Sequence, residues 1–182
     1  MKFLSDVKSK TTAWTDLFVI FGGVFLLFAA SQVEIPLKPV PINLLTVGVM
    51  LIGLTYTPRR ALESHLVWIA LAAAGFPVLA GFSGGLDRLV GPTMGYIVGS
   101  VTAAVLMAML KEKFSMNSWI SDALLCCLGT IIVYSCGVAW LSQLIGFTNA
   151  LMHGVVPFIL PGFVKAGLLC TALQLIRHFR RG

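Results

Sequence analysis

Long apolar runs recur along the chain and are separated by short polar segments. A helix needs about 20 predominantly apolar residues to cross a bilayer, and the hydrophobic pattern predicts six such spans. They are Leu17–Val33, Ile42–Tyr56, Ala61–Ala80, Pro92–Leu110, Ala123–Phe147 and Gly154–Ile176. The second run is the shortest. The pattern predicts an all-α integral membrane protein in which residues 1–182 form a single domain of six transmembrane helices.

Composition supports a membrane location. Hydrophobic residues make up 58% of the 182 residues, and charged residues make up only 11%, whereas about 25% of a soluble domain is charged. The mean hydropathy is +0.93. The composition therefore predicts that the chain is embedded in a lipid bilayer, and the bilayer is one of its predicted partners.

Positive charges are concentrated on one predicted side of the membrane. Ten of the 13 Lys and Arg residues lie before the first span or after the second, fourth and sixth spans: Lys2, Lys8, Lys10, Arg59, Arg60, Lys111, Lys113, Arg177, Arg180 and Arg181. The other side has only Lys38 and Arg88. By the positive-inside rule both termini are cytoplasmic, with residues 1–16 as an N-terminal segment and residues 177–182 as a basic tail. No clustered basic face with interleaved aromatics is present, so nucleic acid is not a predicted partner.

Small residues recur every four positions in the fourth span. Gly91, Gly95, Gly99 and Ala103 form a strip along one helix face, where another helix can approach closely. We interpret this strip as packing within the bundle, with a dimer interface as the alternative.

The sixth span combines prolines with a single internal charge. Pro157 and Pro161 lack a backbone donor, and Pro161 followed by Gly162 predicts a broken sixth helix. Lys165 lies about 18 Å of helix before Arg177, and every acidic residue lies at or outside a span end. An ammonium at such depth needs a partner. The candidates are an acid on another helix, backbone carbonyls, water and an anionic ligand, and the positions of the acids favour the anionic ligand.

Two segments on the predicted outer side are unusual. Ile35–Asn43 has three prolines, which favour an extended backbone, and Gly81–Pro92 is glycine-rich, which permits close approach to a ligand. Pro92 is suited to the first turn of the next helix. We expect the two loops to form a lid over a pocket that opens outward.

Few polar groups are available to such a pocket. The candidates within the spans are Asn43, Thr46, Tyr96, Tyr134, Trp140, Gln143 and Lys165. For each residue alone, packing or anchoring at the membrane interface is the alternative role. Together they suit a small ligand with an apolar body, a hydrogen-bonding head and a carboxylate.

Three segments carry a family resemblance: PVPINLLTVGVMLIG (Pro39–Gly53), GFPVLAGFSGGLDRLVGPTMGYIVG (Gly75–Gly99) and VVPFILPGFVKA (Val155–Ala166). The block GPTMGY is the most specific. The segments resemble the BioY family, the biotin-binding S components of energy-coupling factor (ECF) transporters. This resemblance implies a six-helix protein of the bacterial inner membrane that captures biotin with high affinity and works with a scaffold subunit and two ATPase subunits. It implies no enzymatic activity, metal or cofactor in this chain.

The resemblance also implies how the site is used. The predicted substrate-binding residues are Asn43, Thr46, Ser83, Gly84, Gly85, Tyr96, Tyr134, Trp140 and Lys165. Asn43, Ser83 and Tyr96 are assigned to the polar groups of biotin, Tyr134 and Trp140 to an apolar wall, and Lys165 to the carboxylate.

The chain departs from the family pattern at polar positions. Where the family usually has P-I-T-x-Q after its proline pair, this chain has Asn43 in place of the threonine. Leu45 stands in place of the glutamine. Where the family usually has an aspartate three residues before its lysine, this chain has Gly162. An S component for another vitamin or heterocyclic carboxylic acid is therefore the alternative function.

A remote alternative is an intramembrane protease. Ser83 in a G-x-S-G motif and His153 at the head of the sixth span resemble the serine and histidine dyad of rhomboid proteases. However, Ser83 lies nine residues before Pro92, whereas the rhomboid serine lies at the head of a helix.

Overall fold

A bundle of antiparallel helices forms the protein. The computed structural model describes residues 2–35, 37 and 39–179, with side chains from residue 14 onward. The elements are α1 (Lys2–Gln32), β1 (Glu34–Ile35), β2 (Ile42–Asn43), α2 (Leu45–Thr55), α3 (Pro58–Ala73), a 3-10 turn (Ala80–Phe82), α4 (Leu86–Leu89), α5 (Met94–Phe114), α6 (Trp119–Ile145), α7 (Phe147–Gly154) and α8 (Val156–Phe179). Lys38, Arg180 and Arg181 lie outside the described residues, as do the side chains of Lys2, Lys8 and Lys10.

Four stretches in the described part of the chain are long and apolar enough to cross a membrane: Trp14–Gln32, Met94–Phe114, Trp119–Ile145 and Phe147–Phe179. Large apolar side chains stay exposed on their outer faces, including Phe18, Ile131 and Leu168, as lipid contact requires. The predicted all-α membrane protein is therefore confirmed. The other two predicted spans correspond to the shorter helices α2 and α3, of 11 and 16 residues.

Two predicted span boundaries are wrong. The second span was predicted from Ile42, but Ile42–Asn43 pairs with Glu34–Ile35 in an antiparallel β-hairpin, and α2 begins only at Leu45. The third span was predicted to reach Ala80, but α3 ends at Ala73 because Gly75 adopts a φ of +90° that glycine tolerates. Apolar composition continues through both boundaries, so hydropathy could not locate them.

The predicted break in the sixth helix lies elsewhere. α8 continues through Pro161 and Gly162, and the chain departs from helical geometry before them, at Val155 between α7 and α8. Pro157 occupies the second position of α8, where a backbone N–H has no acceptor within the helix. Pro161 therefore removes one hydrogen bond, to the carbonyl of Pro157, and this loss does not interrupt α8. α5 likewise begins at Met94 rather than at Pro92.

The small-residue strip packs α5 against α6. A Cβ atom on Gly95 would come within 2.5 Å of Trp140 Cβ, and one on Gly99 within 2.8 Å of Val133 Cα. Larger side chains do not fit at either position, so the predicted packing inside the bundle is confirmed. Gly91 precedes α5 and lies against the carbonyl of Arg88 instead.

The two ends of the bundle differ in chemistry. One end, here called the loop end, carries residues 33–35, 37, 39–44 and 74–93. At the opposite end, here called the basic end, Arg60 of α3 pairs with Asp16 of α1. The buried Asp122 of α6 pairs there with Lys111 of α5 at 2.5 Å and with Arg177 of α8 at 2.6 Å. The basic residues in the first turn of α3 and in the last turns of α5 and α8 gather at one end because the longer helices alternate in direction.

Candidate ligand-binding site

A cavity of about 260 Å³ lies at the loop end. Its walls come from both loops and from α2, α3, α5, α6 and the start of α8, and most of its lining is apolar. This volume is close to the lower limit of small-molecule sites, which is about 300 Å³. The cavity therefore suits a compact organic molecule rather than a peptide.

The hairpin loop forms one wall of the cavity. Pro39, Val40, Pro41 and Asn43 line it, and Val40 is only 5% exposed because it is packed into the core. Leu44 N donates to the carbonyl of Val33 at 3.1 Å, which closes the base of the hairpin.

The glycine-rich loop forms the facing wall. Leu79, Ala80 and Ser83 line the cavity, and so do Asp87 and Arg88 of α4. Leu79 and Ser83 form an isolated antiparallel bridge, which folds the loop back on itself. Both loops that were expected to cover a pocket therefore contribute to this one.

Five of the nine predicted binding residues line the cavity: Asn43, Thr46, Ser83, Tyr96 and Tyr134. Two of their hydroxyls already have acceptors in the protein. Ser83 Oγ donates to the carbonyl of Ala80 at 2.7 Å, and the buried Tyr96 hydroxyl donates to the carbonyl of Gly154 at 3.0 Å. These two residues therefore shape the walls more than they offer donors to a ligand.

Three of the predicted residues in the lining have polar groups that remain open to a ligand. The Oδ1 atom of Asn43 accepts from Leu45 N at 3.1 Å, but its Nδ2 atom makes no hydrogen bond in the described part of the chain. The same holds for the hydroxyls of Thr46 and Tyr134 there. The Tyr134 ring packs against Phe158 with centroids 5.9 Å apart, which fixes the direction of its hydroxyl.

Two predicted glycines support the loop rather than line the cavity. A Cβ atom on Gly84 would come within 2.9 Å of the Phe76 carbonyl carbon. Gly85 adopts a φ of +98° and donates from its N–H to the carbonyl of Ala72 at 2.7 Å. Both therefore dock the loop on the end of α3, which only a residue without a side chain permits.

Trp140 and Lys165 do not line the cavity either. Trp140 Nε1 donates to the carbonyl of Gly91 at 3.0 Å and so anchors the start of α5. Lys165 Nζ donates to the backbone carbonyl of Asn43 at 2.6 Å. The ammonium thus has a backbone carbonyl as its partner, which is one of the kinds of partner considered from the sequence.

Sequence reasoning missed two charged residues in the lining. Asp87 and Arg88 lie at the exposed edge of the cavity, and Arg88 makes no ion pair in the described part of the chain. Arg88 was counted only as one of two cations on the predicted outer side. The scarcity of cations on the outer side could have indicated a role for Arg88, because the positive-inside rule explains the many cations on the basic side but not this one.

The protease arrangement is absent. Ser83 donates to Ala80, while the exposed His153 contacts the carbonyl of Asn149 through Nδ1 at 3.0 Å. No hydrogen bond joins Ser83 to His153, so the structure does not support the remote alternative of a protease dyad.

Comparison with known proteins identifies the family. Residues 5–181 match the BioY family. The chain belongs to the BioY family. It is 34% identical over 176 residues to a probable biotin transporter BioY of Rickettsia prowazekii (strain Madrid E), covering 97% of this chain and 90% of that protein.

Other similarities span the whole fold. The biotin transporter BioY of Thermotoga maritima is 32% identical over 162 residues, with 87% of this chain and 94% of that protein covered. The crystal structure of the S-component for biotin from an ECF-type ABC transporter superposes with a TM-score of 0.76 at 28% identity. It covers 95% of this chain and 93% of that one. The resemblance inferred from the three sequence segments is confirmed.

Proposed function

We propose that this BioY family member binds biotin in the loop-end cavity and acts as the S component of an ECF-type biotin transporter. The observation that carries the proposal is the cavity itself. It lies between two loops in a fold shared over nearly its full length with a biotin S component. The protein is a transporter component and not an enzyme, in keeping with its relatives.

The cavity matches the chemistry of biotin. Its apolar walls suit the fused rings and the aliphatic chain, and the open polar groups of Asn43, Thr46 and Tyr134 suit the ureido head. The carboxylate requires a cation. Lys165, assigned this role from the sequence, does not line the cavity and donates instead to the carbonyl of Asn43. The geometry favours Arg88 as the partner of the carboxylate, because Arg88 lines the cavity. Lys165 supports the hairpin wall through its bond to Asn43.

The proposed topology places the loop end outside the cell. Six spans in the bacterial inner membrane, with both termini cytoplasmic, would put the basic end inside and the cavity where external biotin enters. Energy would come from a scaffold subunit and two ATPase subunits, because the sequence contains no G-x-x-x-x-G-K-[ST] phosphate loop.

Equilibrium binding of labelled biotin to the purified protein tests the function. We expect saturable binding by the wild type and a roughly 10- to 100-fold weaker affinity for Arg88→Gln, which loses a charge-assisted hydrogen bond. Lys165→Met should weaken binding less, by roughly tenfold or below, because it acts through the hairpin.

A larger loss of affinity for Lys165→Met than for Arg88→Gln would show that Lys165, and not Arg88, pairs with the carboxylate. A folded wild-type protein that binds no biotin, but binds another heterocyclic carboxylic acid in a competition series, would sink the biotin assignment and retain the S-component fold. Size-exclusion chromatography of each variant controls for folding.

A further inference from the structure

One side chain outside the cavity holds the glycine-rich loop through both ends of its amide. Gln32, in the last turn of α1, donates from Nε2 to the carbonyl of Leu79 at 3.0 Å. Its Oε1 accepts from the N–H of Phe82 at 2.9 Å. The two bonds bracket the 3-10 turn Ala80–Phe82, so a single residue of α1 fixes the course of this wall.

The turn that Gln32 brackets has an unfavourable backbone conformation. Gly81 and Phe82 are consecutive residues with positive φ, +67° and +50°. Glycine tolerates this region, but a side chain such as that of Phe82 is strained there. Strained residues persist only where surrounding contacts over-determine them. Phe82 is 66% exposed, and it is held by the hydrogen bond to the Gln32 amide and by edge-on packing against Phe28, with ring centroids 6.2 Å apart.

The bracketed turn is flanked by residues that line the cavity. Leu79, Ala80 and Ser83 face the candidate ligand site, while Gln32 itself is not part of the lining. Other contacts hold the loop on either side of the turn: Ser31 Oγ and Trp68 Nε1 both donate to the carbonyl of Val78, and Gly85 N donates to the carbonyl of Ala72. Release of the Gln32 amide would therefore free the turn while Val78 stays attached.

We propose that Gln32 is a positioning residue that holds the 79–83 wall closed and thereby sets the rate at which the bound ligand leaves. This inference rests on the proposed function, because it assumes that the cavity binds biotin. The strained backbone at Phe82 favours opening of the wall, and the two hydrogen bonds of the Gln32 side chain oppose this opening.

Two variants separate the bonds. Gln32→Leu has a similar size and removes both bonds to the loop, together with the Nε2 contacts to Ser31 Oγ and the Phe28 carbonyl within α1. Gln32→Glu keeps an acceptor for Phe82 N but replaces the donor to Leu79 with an oxygen that repels that carbonyl. Gln143→Leu is the matched control, because this exposed glutamine bonds only within its own helix, to Ala139.

Dissociation of preloaded labelled biotin into excess unlabelled biotin is the kinetic readout. We expect Gln32→Leu to raise the dissociation rate by roughly 10- to 30-fold, as the loss of two hydrogen bonds implies. Gln32→Glu should give an intermediate increase, and Gln143→Leu no change. A general loss of structure would instead lower the melting temperature and the fraction of binding-competent protein.

Amide hydrogen exchange of the ligand-free protein is the second readout and needs no biotin. The peptide containing Phe82 and Ser83 should exchange faster in Gln32→Leu, with no change in peptides from α5 and α6. Unchanged exchange, or faster exchange with an unchanged dissociation rate, would overturn the proposal. If the wild type holds no biotin the proposed function fails, and the exchange result alone decides whether Gln32 braces the wall.

Discussion

At the scale of single residues, some hydroxyls in the cavity lining already donate to the protein, whereas others remain free to bind a ligand. Tyr96 and Tyr134 both line it and have the same chemistry in sequence. Only the fold shows that the Tyr96 hydroxyl donates to the carbonyl of Gly154 while that of Tyr134 has no partner among the described residues. The two residues therefore form a matched pair for testing which wall meets the ligand.

Tyr134→Phe should lower the affinity for biotin by roughly fivefold without a change in stability, because one hydrogen bond is worth about 1 kcal/mol. Binding titration measures the affinity, and thermal unfolding monitors stability.

Tyr96→Phe is the counterpart. It leaves the buried carbonyl of Gly154 without its donor, so we expect a loss of stability of about 1–3 kcal/mol and little direct effect on affinity. A larger affinity loss for Tyr96→Phe than for Tyr134→Phe would contradict the assignment of the open hydroxyl.

At the scale of helices, the basic end is held by one buried carboxylate. Asp122 is 0% exposed and joins α5 and α8 to α6 through Lys111 and Arg177. The removal of one charge from such a group leaves the others buried and uncompensated. This contact ties together helices whose opposite ends form the cavity.

Asp122→Asn should therefore lower the free energy of unfolding by about 3–5 kcal/mol. Glu63→Gln is the control, since Glu63 pairs at the surface with the exposed Arg59 and such pairs contribute about 0–1 kcal/mol. Denaturation of both variants in the same detergent measures the difference, and equal losses would refute the structural role of Asp122.

At the scale of the whole molecule, the proposed function depends on which end faces outward. Ser115 follows α5 at the basic end, and the exposed Leu86 opens α4 at the loop end. The four native cysteines all lie within helices α6 and α8, which limits background labelling.

We expect a membrane-impermeant maleimide added to intact cells to label Leu86→Cys and not Ser115→Cys. Permeabilised cells should allow labelling of both. Labelling of Ser115→Cys alone in intact cells would invert the topology and place the cavity on the cytoplasmic side.

The sequence by itself determined the membrane class, the helical fold, the packing strip of Gly95 and Gly99, and the family. Each of these depends on local composition or on short motifs, since apolar runs and small-residue spacing are properties of neighbouring positions. The number of residues needed to cross a bilayer is likewise fixed by the rise of a helix.

Tertiary structure alone decided where each polar group points. The partner of Lys165 is a backbone carbonyl 122 residues away along the chain, and Gln32 reaches a loop 47 to 50 residues away. Backbone carbonyls carry no sequence signature, so such bonds are invisible to motif reasoning. Tertiary structure also decided the continuity of α8 through Pro161. The loss of a single hydrogen bond does not outweigh the packing of the surrounding helix.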